Sequence, residues 1–137
     1  MSQVEEIRIF LPLQALKASI LNRLTKVLSQ NKENNIKSLV AYLVAGDPCE
    51  ESTLELLNGF ALSGVDVIEV GVPFSDPIAE GPIVQSAHDR SLKNGTNLKK
   101  ILKIIKSFRK SNSHTPIVLM GYINAVSYTH LRAHETE

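Results

Sequence analysis

The sequence predicts an α/β protein, the N-terminal part of a TIM (β/α)8 barrel with about three of the eight strands present. Three observations predict it. Short continuous apolar runs alternate with longer stretches of helical periodicity, the pattern of parallel strands covered by crossover helices. Each apolar run opens into a polar loop, at Gly46-Asp47, at Glu69 to Glu80 and at Tyr122 to Asn124. Periodicity alone leaves a doubly wound sheet open, but a barrel is the fold that gathers its working residues at that rim. Finally, 137 residues are about half of the ~250 that eight strands with their helices require.

The elements follow in order. Residues 1–12 carry no pattern. Leu13, Leu16, Ile20, Leu24, Val27 and Leu28 recur at helical spacing and predict a helix to Gln30, before a polar break at Asn31 to Asn35. Ser38 to Val44 is an unbroken apolar run and predicts the first buried strand. Ala45-Gly46-Asp47-Pro48 is a turn signal. Glu50 and Glu51 then suit the positive end of a helix whose stripe is Leu54, Leu57, Phe60 and Ala61, with Gly64 as its stop. Val65 to Gly71 predicts the second strand. Pro82 suits a first helical turn, and that helix should run to Asn94 and end at Gly95. Thr96 or Asn97 should cap the next helix, with Leu98, Ile101, Leu102, Ile105 and Phe108 on one face. Pro116 to Tyr122 predicts the third strand.

Composition excludes several function classes. The chain is 43% hydrophobic and 21% charged, as soluble globular proteins are. A net charge of +1 argues against a dedicated nucleic-acid or membrane-surface binder. Lys99, Lys100, Lys103, Lys106, Arg109 and Lys110 read as the solvated face of an amphipathic helix, since no aromatic residues interleave to stack bases. No apolar run approaches the ~20 residues that span a bilayer. Glu5 and Glu6 come early, and Ile7 to Leu13 is interrupted by Arg8 and Pro12, so no secretory leader is expected. The single cysteine, Cys49, cannot form an internal disulfide. A cytoplasmic location is expected.

The chemistry concentrates in Val67-Ile-Glu-Val-Gly-Val-Pro-Phe-Ser-Asp-Pro-Ile-Ala-Glu-Gly-Pro82. One carboxylate, Glu69, sits in a β-branched run where an uncompensated charge costs several kcal/mol. Alternation puts Val65, Val67, Glu69 and Gly71 on one strand face, the prospective barrel interior. The loop beyond carries Asp76 and Glu80. A bland reading makes Glu69 a strand-end acid paired with a lysine and Asp76-Pro77 a turn former. Asp47-Pro48 reads as turn geometry. His130 and His134 beside Glu135 have a spacing that could hold a metal, with nothing nearby to complete such a site.

From about Leu21 to Val126 the chain resembles the tryptophan synthase alpha subunit. The resemblance rests on Ala45-Gly-Asp-Pro48, on the long ordered block from Glu69 to Pro82, and on Met120-Gly-Tyr-Ile-Asn124. It implies cleavage of indole-3-glycerol phosphate into indole and glyceraldehyde 3-phosphate, a step of tryptophan biosynthesis. Glu69 matches the acid/base that protonates indole C3 and takes up the side-chain hydroxyl proton, which requires a carboxyl whose pKa an apolar setting raises. Glu80 matches the carboxylate that faces the indole N–H, where the family usually has Asp. Tyr42, Met120 and Tyr122 match residues lining the indole pocket. Ser75, Asp76, Pro77 and Asn124 resemble the surface that meets a beta subunit in an alpha2beta2 heterotetramer. That partner carries pyridoxal phosphate; this chain is expected to use neither cofactor nor metal. Two alternatives stand beside this: a non-catalytic module that only binds the beta subunit, and a different barrel phosphosugar lyase or isomerase.

The ends depart from the resemblance. Residues 1–20 read as an extension of unclear role. Residues 127–137 (Ser-Tyr-Thr-His-Leu-Arg-Ala-His-Glu-Thr-Glu) lack helical or strand periodicity and resemble a translated adapter, a non-native tail. A partial barrel of residues 21–126 would lack a phosphate site and leave strand edges bare, so the fragment alone is expected to be inactive and poorly soluble.

Overall fold

A computed structural model of the chain describes residues 13–78 and 80–122, with side chains from Arg23 onward. The order is α1 (Leu13–Glu33), β1 (Val40–Val44), α2 (Glu50–Leu62), β2 (Val67–Gly71), α3 (Pro82–Lys93), α4 (Leu98–Ser111) and β3 (Ile117–Met120). The three strands form one parallel sheet in the order β1-β2-β3. This is the alternation that the apolar runs predict, built as successive strand, helix, strand units. No described helix is long and apolar enough to cross a membrane.

The sheet register places the site. Tyr42 pairs with Glu69, and Glu69 with Val118; Val44 pairs with Gly71, and Gly71 with Met120. Because side chains alternate across a strand, Tyr42, Glu69, Gly71 and Met120 share one face. Leu43, Ala45, Ile68, Val70 and Val72 share the other, where they form the core with Leu57 of α2 and Leu98, Ile101, Ile104 and Phe108 of α4. Ile68, Val70, Leu57, Ile101 and Phe108 are fully buried. One sheet face therefore holds the helices, and the opposite face is left for chemistry.

Local signals account for most element ends. Glu50 and Glu51 occupy the first turn of α2, where the helix dipole favours acids, and Glu50 pairs with Lys100 at 2.7 Å. Pro82 opens α3. Asn97, not Thr96, caps α4: its Oδ1 accepts from the Lys100 N–H at 3.0 Å, while Thr96 is buried against Gly46. The strands are shorter than their apolar runs. β1 begins at Val40, because Asp66 intercepts the preceding residue: its carboxylate accepts from the Leu39 N–H at 2.8 Å and from Asn31 at 2.9 Å. Those bonds hold the Asp66 carboxyl below its ordinary pKa.

One stripe assignment is corrected. Leu102, expected on the buried face of α4, is 44% exposed, and Ile104 is buried in its place. Leu98, Ile101, Ile104 and Phe108 follow the three- and four-residue spacing that faces α2 and the sheet; Leu102 falls outside that arc. In α1, Leu24 and Val27 are half-buried and Leu28 is exposed.

Candidate active site

α3 packs against β1, at the end of the sheet where the acidic loop follows β2. The tie at β1 is a set of side chains from α3. Ser91 Oγ donates to the Ala45 carbonyl at 2.5 Å, and Arg90 grips Asp47 with two bonds at 2.6 and 2.8 Å. Asn94 donates to the carbonyls of Gly46 and Pro48. Gly46 is required there: its φ is +81°, and a Cβ would collide with Thr96 Oγ1 and Ser91 Oγ. Asp47 thus anchors the rim, as well as shaping the turn.

On the sheet face, the Tyr42 ring lies against Gly71, whose missing side chain leaves it room. The Tyr42 hydroxyl is buried without a hydrogen-bond partner among the described residues. Its pKa is pushed up to about 12, first by burial and then by the charges of Glu80, Tyr122 and Glu69. Those contributions put both carboxylates and the Tyr122 phenol within electrostatic reach of the Tyr42 hydroxyl. Glu69 is half-buried at the middle of β2. The lysine pairing of the bland reading is not found: among the described residues no cation is bridged to it. Met120 is on the same face and 44% exposed.

Glu80 arrives from the loop. Its N–H donates to the Pro77 carbonyl at 3.2 Å, and its own carbonyl accepts from Gln85 Nε2 at 2.7 Å. Its carboxylate Oε2 lies 2.5 Å from His88 Nε2, with the His side chain 1% exposed and the Glu side chain 19%. The approach is close, yet neither atom has a hydrogen-bond partner among the described residues. The other ring nitrogen of His88, Nδ1, accepts from the Phe74 N–H at 3.0 Å. The Phe74 ring in turn stacks on Tyr122, with centroids 4.9 Å apart and planes at 22°.

The fold therefore brings Tyr42, Glu69, Glu80, Met120 and Tyr122 to one end of one sheet face. Phe74, Gln85 and His88 join them and were not singled out from sequence. No local signal marks His88, which lies six residues beyond Pro82 in the middle of α3. Ser75 and Asp76 stand exposed, Ser75 Oγ donating to Asp76 Oδ2 at 3.0 Å, whereas Pro77 is buried beneath them. Asn124 and the pair His130 and His134 lie outside the described residues, as do residues 127–137. Among the described residues no three His, Cys, Asp or Glu side chains are grouped to hold a metal.

Comparison with known proteins bears on the family and the fold. Residues 28–133 match the sequence profile described as tryptophan synthase alpha chain. A tryptophan synthase alpha chain of Marinobacter nauticus is 47% identical over 104 residues, which cover 76% of this chain and 38% of that relative. One from Neisseria meningitidis is 48% identical over 90 residues, covering 66% and 34%. The crystal structure of the alpha subunit from Legionella pneumophila superposes with a TM-score of 0.76 at 42% identity, covering 78% of this chain and 41% of that one. A chain of the tryptophan synthase complex from Pyrococcus furiosus does so with a TM-score of 0.63 at 47% identity, covering 69% and 38%. This chain thus spans about two fifths of the length of the first relative and of both solved structures. The profile match over most of the sequence, with the superposition on solved alpha subunits, establishes that the chain belongs to the tryptophan synthase alpha chain family.

Proposed function

We propose that the full-length protein to which this chain contributes its N-terminal barrel strands cleaves indole-3-glycerol phosphate into indole and glyceraldehyde 3-phosphate. The observation that carries this reading is the convergence of Glu69 and Glu80 on the Tyr42 phenol at the end of one sheet face. Breaking the carbon–carbon bond requires a proton on indole C3 and removal of a proton from the side-chain hydroxyl as the bond parts. Glu69, held on a rigid strand with no cation bridged to it among the described residues, is assigned both transfers. As C3 is protonated, positive charge develops toward the ring nitrogen. Glu80 is assigned the hydrogen bond from that N–H, which strengthens in the transition state and so lowers the barrier. Tyr42, Met120 and Tyr122 supply the apolar walls that exclude water from the indole.

The exposed pair Ser75 and Asp76, followed by Ile78 at 90% exposure, supports a docking role for the loop toward a beta subunit, with Asn124 assigned to the same surface. That partner would carry pyridoxal phosphate and consume the indole. An alpha2beta2 assembly in the cytoplasm follows from this assignment. Residues 21–126 are assigned to the barrel, and the remaining strands and the phosphate site to sequence beyond the described residues. A sheet of three strands leaves the catalytic face uncovered, so turnover is assigned to the full-length protein alone.

The test is Glu69→Gln in the full-length protein with its beta partner. Indole formation should fall by roughly a hundred- to ten-thousandfold, the usual worth of a positioned acid or base, while beta binding is unchanged. A variant that turns over at the wild-type rate would remove Glu69 from the mechanism. A wild-type protein that binds the partner but never releases indole would instead support the module that only docks.

A further inference from the structure

The contact between His88 and Glu80 does more than fill space. His88, the seventh residue of α3, is nearly fully buried; its Nδ1 is committed to a hydrogen bond, and its Nε2 stands in close contact with Glu80 Oε2. The Phe74 N–H donates to Nδ1, so Nδ1 carries a lone pair and not a proton. A neutral ring then has its proton on Nε2, which faces Glu80 Oε2 at 2.5 Å. Neither Nε2 nor Oε2 has a hydrogen-bond partner among the described residues, and the pair is poised to close into a bond by a small rotation. A backbone amide thus fixes the tautomer, the tautomer presents a donor, and the donor faces the Glu80 carboxylate. Glu80 needs such a tether. Its main chain is held by Pro77 and Gln85, but its side chain has three rotatable bonds, and no other described group restrains the carboxylate.

We propose that His88 is a positioning residue: the contact of its Nε2 with Oε2, closing into an Nε2–H bond when substrate is bound, holds the Glu80 carboxylate in place and leaves the second oxygen for an incoming N–H donor. The proposal rests on the assignment of Glu80 made above. It predicts an effect on kcat more than on KM, since the bond Glu80 makes with the indole N–H strengthens as the barrier is climbed.

Two near-isosteres separate the halves of the relay. Asn places a carbonyl oxygen near Nδ1, keeping the acceptor for Phe74 and losing the donor to Glu80. Gln places an NH2 near Nε2, keeping the donor and losing the acceptor. In the full-length protein, His88→Asn should lower kcat by roughly ten- to a hundredfold, the usual effect of removing a group that orients a working ligand, with KM within about threefold. His88→Gln should recover most of that loss. Combined with Glu80→Gln, His88→Asn should cost nothing further, because both act through one carboxylate. An Asn variant as fast as wild type overturns the proposal; so do equal losses in both variants, or fully multiplicative losses in the double variant. Should the Asn variant not fold, nitrogen NMR of the histidines in the wild type and in Glu80→Gln decides. An Nε2–H tautomer whose signal moves on Glu80→Gln supports the relay, and an Nδ1–H tautomer or an unmoved signal overturns it. Full activity of Glu80→Gln would instead defeat the assignment of Glu80 itself, whatever His88 does.

Discussion

Gly71 is the residue at which fold and chemistry meet most tightly, and Gly71→Ala tests the site with one carbon atom. The new Cβ would stand 2.9 Å from Tyr42 Cζ and 3.2 Å from Cε2, with the hydroxyl closer still. Ordinary contact is near 3.4 to 4 Å, so the phenol must withdraw by roughly 1 Å. Gly71 is in a paired strand between Val44 and Met120, so the backbone cannot yield and the ring must. A shift of that size in a group lining the substrate costs on the order of a hundredfold in rate, and the overpacking itself about 1–3 kcal/mol. The assay is kcat/KM for indole release by the full-length protein, with a thermal melt to show that the variant is folded. Adding Tyr42→Phe removes the nearest colliding atom and should restore part of the loss. A folded Gly71→Ala protein within about threefold of wild type would refute the reasoning, as would a Phe double variant no faster than the single one.

Two further outcomes follow from burial and charge. Tyr42, with a pKa of about 12 against an ordinary 10.0, keeps its proton in the folded state while the unfolded chain gives it up. It therefore contributes stability that is whole below about pH 10 and is lost as pH rises toward 12; Tyr42→Phe should flatten the alkaline limb of a stability-versus-pH curve measured by denaturant unfolding. Phe108, fully buried where α4 meets the core, should cost about 3–5 kcal/mol on truncation to Ala, read as a drop in the unfolding midpoint.

How far the sequence reached is clearest element by element. The third strand and α2 to α4 were legible because apolar spacing, Pro82 and the acids at Glu50 and Glu51 are local signals. The start of β1 was not, since Asp66 takes the Leu39 amide from 27 residues away. Leu102 was misassigned to the core because helical spacing fixes an arc but not which edge of it faces the neighbouring helix. Of the site, Glu69 and Glu80 were legible as acids in an apolar strand and its loop, with the family resemblance assigning them roles. Phe74 and His88 were not, for a lone histidine on a helix has no sequence mark that separates a packed residue from a tether.

The sequence by itself determined that strands alternate with helices, that they are parallel, and that acids gather after the second one. These depend on periodicity and turn chemistry, which act over a few residues. Only the tertiary structure decided that Tyr42 lies opposite Glu69, that Gly71 makes room for its ring, and that a buried imidazole meets Glu80. Register, packing and tautomer are set between segments distant along the chain, where no local preference can choose among the alternatives.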